Sequence, residues 1–334
     1  SIASYPNRVM WSGRNDITYW TVGSRDCDYQ DFGDGGETIN ISSLETGLVF
    51  QSNAIRRFIP VTDRAIYNFS KVEDQRGLMA ANSLVIKGKV AYYLSDDGFY
   101  ATDGSGQSMP IGEHKVNKWF QDTSNYSRSY AVIGAADPTH PRIYWMFPSS
   151  GNSTYIMDKC LCYEISSNRW TYADVSASYI FEGATSGISL DALDAAYPSY
   201  NLDTLPFSLD SRFLMGGAPY LAGFNDSYKL TFFSGSNMAA VVETGAFQPI
   251  PGMRSFIRGV RPLTDSTDVT VQVASVERPQ GTYSYGATST LNAIGNNPLR
   301  SSGRMHKIRA SIVEGSTWEH LQGVEPDIVA AGGR

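Results

Sequence analysis

The stretch NSLVIKGKVAYYLSDDGFYATDGSGQSMPIG, residues 82–112, decides the fold. It reads as four short extended segments. Ser83–Ile86 is apolar and β-branched, and Lys87-Gly88 makes a tight turn. Val90–Leu94 is a second strand with aromatic weight, closed by the turn Ser95–Gly98. Phe99–Thr102 follows, then a turn at Asp103–Gly106 and a short outer strand at Met109–Ile111. Lys-Gly and Asp-Gly pairs between apolar runs mark hairpins, because Gly, and less readily Asp, tolerates the positive φ of such turns. Four antiparallel strands in a local meander make one blade of a β-propeller.

Composition points the same way. The 334 residues are 42% hydrophobic and 18% charged, which suits a folded chain and excludes extended disorder. Twenty Tyr, 15 Phe, 6 Trp and 31 Gly favour strands joined by glycine turns. The net charge of −6 disfavours a dedicated nucleic-acid binder, since tight phosphate contact needs a basic face. It leaves room for a protein that lets DNA slide past. No run approaches the roughly 20 apolar residues of a membrane span. No signal peptide is expected, and the opening SIASYPNRVMWSG, without an initiator Met, suggests processing or a portion of a longer polypeptide. Cys27, Cys160 and Cys162 make no disulfide framework; Cys160 and Cys162 share one face of a strand, a poor geometry for a bridge. They read as free thiols of a reducing compartment.

Outward from the opening stretch, strands are expected at 7–12, 16–21, 38–41, 48–50, 55–60 and 65–69, with 24–37 as a polar loop. Glu113–Phe120 has Val116, Trp119 and Phe120 on one helical face and should cross between blades. A second blade-like unit holds 130–134, 142–147, 159–165 and 169–172. Its closing Trp170, like Trp20 earlier, is placed to wedge neighbouring blades or simply to fill a core. Residues 186–208 break the pattern as a linker or insertion. A third meander is expected from 213–215, 220–224, 229–233 and 239–243. A fourth runs over 257–261, 269–276, 308–313 and 318–324, with 281–303 an exposed excursion. The expected architecture is all-β: a propeller of four-stranded antiparallel blades with loop insertions. Its first part covers 1–185, and 209–334 holds the remaining blades or a second β domain. About 45 residues per blade gives five to seven blades.

The runs NRVMWSGRNDITYW, VAYYLSDDGFYATDGSGQSMPIGEHKVNKWF, PRIYWMFPSS, LCYEISSNRWTYAD and SGRMHKIRASIVEGSTWEHLQGVEP, in that order, resemble β-propeller proteins in the tails of short-tailed bacteriophages. These are of the DNA-stabilisation or tail-nozzle type. The resemblance implies a structural virion protein, assembled in the bacterial host cytoplasm and forming a homo-oligomeric ring, usually a hexamer. Its partners would be copies of itself, other tail and portal or adaptor proteins and, transiently, double-stranded DNA in the ejection channel. A net negative wall suits that role, because it repels phosphate.

Residues that could carry chemistry are few. The loop Asp31–Glu37, DFGDGGE, is dense enough in carboxylates for Ca²⁺ but lacks the spacing of an EF-hand; Asp and Gly serving as turn formers is the simpler reading. Asp97, Asp103, Glu164 and Glu243 are candidates for glycosidase-type acid and base, though no local pattern singles one out. No GxSxG turn occurs, and His114, His140, His306 and His320 read as surface residues. The expectation is a chain that is not an enzyme and takes no cofactor. Arg300, Arg304, Lys307 and Arg309 form the one concentrated positive run, with Lys307 and Arg309 on a single strand face. DNA phosphates, a carboxylate on a ring neighbour, and plain solvent are the three readings of that run. The alternatives to the virion reading are a carbohydrate-binding or glycoside-cleaving propeller, with Tyr92, Tyr100, Tyr283 and Tyr285 stacking on sugars, and a protein–protein scaffold.

Overall fold

The computed structural model describes residues 5–331 apart from 43–45, 62–65, 155, 185–189, 199–203, 205–218 and 234–235. It divides into two compact units, Ser1–Phe233 and Ser234–Arg334. The chain is all-β, with short helical pieces only in connections.

The first unit opens with a hairpin of β1 (Arg8–Trp11) and β2 (Asp28–Asp31). β2 falls in the stretch expected to be a loop. It is a polar strand, and its pairing with Arg8–Trp11 rather than its composition makes it extended. No strand forms at 16–21, where a tight turn brings the Asp16 amide to the Gly13 carbonyl.

Three four-stranded antiparallel meanders follow. The first is β3 (Thr38–Ser42), β4 (Gly47–Gln51), β5 (Ala54–Pro60) and β6 (Tyr67–Asp74). The second is β7 (Val85–Lys87), β8 (Val90–Ser95), β9 (Gly98–Thr102) and β10 (Met109–Pro110). The third, after helix α1 (Asn117–Thr123), is β11 (Ile133–Ala136), β12 (Arg142–Phe147), β13 (Lys159–Glu164) and β14 (Arg169–Ala173). In each, strands pair strictly in chain order, as a blade requires. Gly88 takes φ +63° in the turn that closes β7 on β8. A fourth sheet has three strands, β15 (Tyr179–Ala184), β16 (Pro219–Phe224) and β17 (Leu230–Phe232). β15 pairs with β16 across the segment 186–208, so that segment is an insertion within one blade; it contains α2 (Leu190–Ala196). The expected strand 213–215 lies outside the described residues.

The blades stack through their faces. Leu48, Phe50 and Ile55 of the first meet Ala91, Tyr93 and Tyr100 of the second. Tyr92, Leu94 and Phe99 meet Ile143, Trp145 and Phe147 of the third. On the other face of β12, Met146 joins Cys160, Ile180 and Leu221, the last two from the fourth sheet. A blade with neighbours on both sides is buried on both faces, so β8 and β9 are buried almost throughout instead of alternating. Trp145 is fully buried at the second interface and donates its indole N–H to the Ser83 carbonyl at 2.9 Å. Trp170 stacks on Trp145 and donates to the Ile111 carbonyl, so it does wedge two blades. Trp20 does not; it is half exposed in the β1–β2 connection. Helix α1 starts later than expected, because the Gly112 carbonyl takes the Lys115, Val116 and Asn117 amides in a turn. It still buries Phe120 between blades, and Val116 is buried beside it from the turn just before the helix.

The second unit is no continuation of the blade series. β18 (Ala240–Glu243), β19 (Arg254–Thr264), β20 (Val269–Val276), β21 (Ser289–Thr290), β22 (Asn297–Gly303), β23 (Met305–Ile312) and β24 (Leu321–Ala331) form two sheets, ordered β18-β23-β20-β21 and β22-β19-β24. Their inner faces share one core of Ile257, Val260, Val271, Val273, Ile308 and Ala310, which makes a β-sandwich. The expected third meander fails at 239–243, because β18 pairs with β23, far along the chain. The expected fourth is split between the sheets. The excursion 281–303 contains β21 and β22; Asn297, at the start of β22, is fully buried and its amide donates to the Ser289 carbonyl. Five to seven blades were expected, and the described residues form four blade sheets.

Candidate functional site

Most of the basic run lies on one strand of the second unit and the turn before it. β23 alternates strictly, with His306, Ile308, Ala310 and Ile312 inward and Lys307 and Arg309 on the outer face. There both cations meet Glu243 of β18, Arg309 at 2.8 Å and Lys307 at 3.6 Å. The Lys307 ammonium lies over the Tyr283 ring and the Arg309 guanidinium over the Tyr285 ring. Glu243 is held below the usual carboxylate range by the neighbouring Tyr285 hydroxyl and by Arg309. Burial, and then Glu243, push the Tyr285 phenol up to about 12. Arg304 lies 3.9 Å from Glu277, which Arg254 holds more tightly at 2.8 Å. Arg300 is exposed and borders a groove with Phe256, Arg258 and Pro298; no carboxylate among the described residues pairs with it. Three of the four cations are thus engaged within their own unit, leaving Arg300 the most available.

His306 is fully buried, against the surface position expected of it. One ring nitrogen lies 2.7 Å from the Ser255 hydroxyl on β19 and the other 2.7 Å from Ser275 on β20, so the ring ties the two sheets together. Burial pushes its pKa down. Reading a polar strand as a surface missed it, because inward positions are set by register.

Of the expected sugar-stacking tyrosines, Tyr92 and Tyr100 are buried between blades, while Tyr283 and Tyr285 are half-buried and each has one ring face taken by a cation, Lys307 and Arg309 respectively. The metal-like loop is also spoken for. Asp31 takes two hydrogen bonds from Arg8, and Asp34 pairs with Arg56 and Lys71. Among the described residues no cluster of three or more His, Cys, Asp or Glu could hold a metal ion. Cys27 and Cys160 are buried and Cys162 half-buried, all free; burial pushes Cys160 up to about 12 and Cys162 to about 11.

The four candidate acid–base carboxylates are dispersed and sit low. Burial raises Asp97, but hydrogen bonds from Arg76 and Tyr100 outweigh it. Burial likewise raises Glu164, and Arg142 and Ser166 more than offset it. Asp103 is lowered by the Ser105 hydroxyl and amide. Such groups are bases in the free protein; a glycosidic general acid instead needs a raised pKa.

A carboxylate and aromatics meet in a cleft of about 890 Å³ at Trp11, Asp26 and Tyr67, and three carboxylates meet a Trp in another. The latter holds about 680 Å³ beside α1 and is lined by Trp119 with the acids Asp97, Glu113 and Asp122, the amides Asn117 and Gln121, and the bases His114, Lys115 and Lys118. Trp119 leans on Phe147 and on the exposed Tyr172, and the Asn117 amide donates to the Asp97 carbonyl. A flat ring flanked by acids and amides is a composition that can hold a hydroxyl-rich ligand.

No family model and no curated protein matches the chain. Among solved structures it is similar to exo-beta-1,3-galactanase from Phanerochaete chrysosporium, solved with beta-1,3-galactotriose. That likeness covers 91% of this chain and 87% of the other, at 9% identity and a TM-score of 0.25. It runs against the expectation that the chain is not an enzyme, which is not carried forward; at this TM-score it carries no activity, substrate or residue across.

Proposed function

We propose that the chain is a structural component of a bacteriophage tail, of the nozzle or DNA-stabilisation type, bordering the passage through which the genome is kept and released. The ordered resemblance of its aromatic runs supports this reading. So does a row of stacked blades. Load on such a body is spread over many antiparallel ladders and blade interfaces, and a net charge of −6 leaves little to grip phosphate. Immunogold labelling of particles purified from the host that encodes the chain is the direct test. Gold confined to the tail is expected; particles that lack the polypeptide would end the proposal.

A second reading, carbohydrate binding, is favoured by the α1 cleft with its Trp119 platform and three carboxylates. On a glycan array it requires a specific signal that Trp119→Ala abolishes. Incubating any retained glycan with the chain and assaying for released sugar would reveal cleavage.

A further inference from the structure

A polar chain crosses between the two sheets of the second unit. His306 on β23 has each ring nitrogen 2.7 Å from a serine hydroxyl, Nε2 from Ser255 on β19 and Nδ1 from Ser275 on β20. Ser275 and His306 are register partners in one sheet, whereas Ser255 belongs to the other. The chain has one more link on each side. The Ser275 hydroxyl meets the Ser301 hydroxyl on β22, back in the opposite sheet, and the Ser255 hydroxyl donates to the Gly303 carbonyl at 3.3 Å. His306 and Ser255 have no exposed surface, while Ser275 and Ser301 are half-buried, so the chain leads from the interior towards solvent.

The Gly303 link fixes the direction of the rest. Ser255 spends its one proton on that carbonyl, so its oxygen accepts from Nε2–H. A neutral ring protonated on Nε2 presents Nδ1 as an acceptor, which Ser275 fills by donating; Ser275 in turn accepts from Ser301. We infer that Ser301, Ser275, His306 and Ser255 form a pH-sensitive fastener between the sheets, whose Ser301–Ser275 arm relays a solvent proton to Nδ1. Ser301 takes a proton from hydronium and passes its own to Ser275, which passes its own to the ring. No bond between heavy atoms changes. The imidazolium then donates from both nitrogens, with Ser275 donating to Ser301 and Ser301 to water. The acid form thus keeps its hydrogen bonds but places a charge between the sheets. Glu277, just beyond β20, acts on that ring, and Arg254 on β19 and Arg304 in the turn before β23 both hold its carboxylate. Glu243 of β18 sits on the outer face with Lys307 and Arg309, and Arg300 of β22 is exposed. The segment around Phe247, paired with the His306 backbone, brings no charge. The fastener works alike whether the chain borders a DNA passage or holds a glycan.

Carbon and nitrogen NMR of the full chain, labelled at its four histidines, tests the assignment, with His306→Gln identifying the signal. The neutral wild-type ring should carry its proton on Nε2. Ser301→Ala deprives the Ser275 proton of its acceptor in the acid form alone, so the His306 pKa should fall by about one unit or more. Ser301→Thr keeps the hydroxyl and should hold the wild-type value, as should Ser302→Ala, the exposed neighbour on the same strand. Ser255→Ala removes the acceptor of Nε2–H and should move the neutral ring towards the Nδ1–H tautomer. A wild-type ring protonated on Nδ1 would overturn the inference. So would a His306 pKa that Ser301→Ala leaves unchanged, or a ring that stays neutral in the folded wild type down to acid unfolding. Should an alanine variant fail to fold, the wild-type tautomer and the Ser301→Thr titration decide.

Discussion

Replacing Trp145 by Ala should loosen the middle of the blade stack without touching the sandwich. Trp145 has no exposed surface, packs on Phe99 and Trp170, and its N–H satisfies the Ser83 carbonyl next to the first strand of the second blade. Truncating a buried Trp to Ala costs about 3–5 kcal/mol, depending on how far the cavity collapses. Collapse is restricted here, because Trp145 faces one blade while its strand neighbour Met146 is fixed against the next. At 1.4 kcal/mol per factor of ten, amide exchange of β7–β14 through cooperative opening should accelerate roughly 100- to 4,000-fold. Hydrogen-exchange mass spectrometry reads this peptide by peptide, and β19–β24 supply an internal control. Trp145→Phe keeps a ring but orphans the Ser83 carbonyl, so its effect should fall between wild type and Ala, at about 1–3 kcal/mol. An acceleration below tenfold for the Ala variant, or one equally large in residues 234–334, would refute the view that this side chain joins two blades.

Three further outcomes follow from the same geometry. The buried His306 has its pKa lowered from 6.5, so the unfolded chain takes up the proton first as pH falls. The sandwich should therefore hold its full stability above about pH 6.5 and lose it progressively below, towards the lowered folded value; urea midpoints at pH 7.5 and 5 measure this, and His306→Asn should flatten the difference. Glu243→Gln removes one of the causes raising Tyr285, leaving burial, so its ultraviolet titration should move from about 12 part of the way towards 10. At Gly134 on β11, a Cβ would come within 2.4 Å of Val85 and 2.8 Å of the Trp145 indole nitrogen. Gly134→Val should push β11 off β7 and lower the melting temperature of the first unit by several degrees, for a cost of about 1–3 kcal/mol in overpacking.

The local grammar of the chain is legible because hairpin pairing is local. Lys87-Gly88 and Ser95–Gly98 join strands that pair with their immediate neighbours, so the second and third blades lie where their turns place them. The Lys307/Arg309 face is legible for the same reason: it needs only the two-residue period of a strand. Pairing partners are decided elsewhere. β18 reads as the end of one more meander, but its partner β23 starts at Met305, and only the core of the sandwich selects that distant match. Glu243 thereby reaches Lys307 and Arg309, and His306 turns inward between Ser255 and Ser275. The linear order of residues determined that the chain is all-β, where its tight hairpins fall and which face of β23 is charged, since each depends on neighbours within a few positions. The tertiary structure alone decided that the blades stop at residue 233 and that three of the four cations of the basic run meet carboxylates of their own unit. Those outcomes come from surfaces meeting across large separations in sequence, where a short stretch holds no record of its partner.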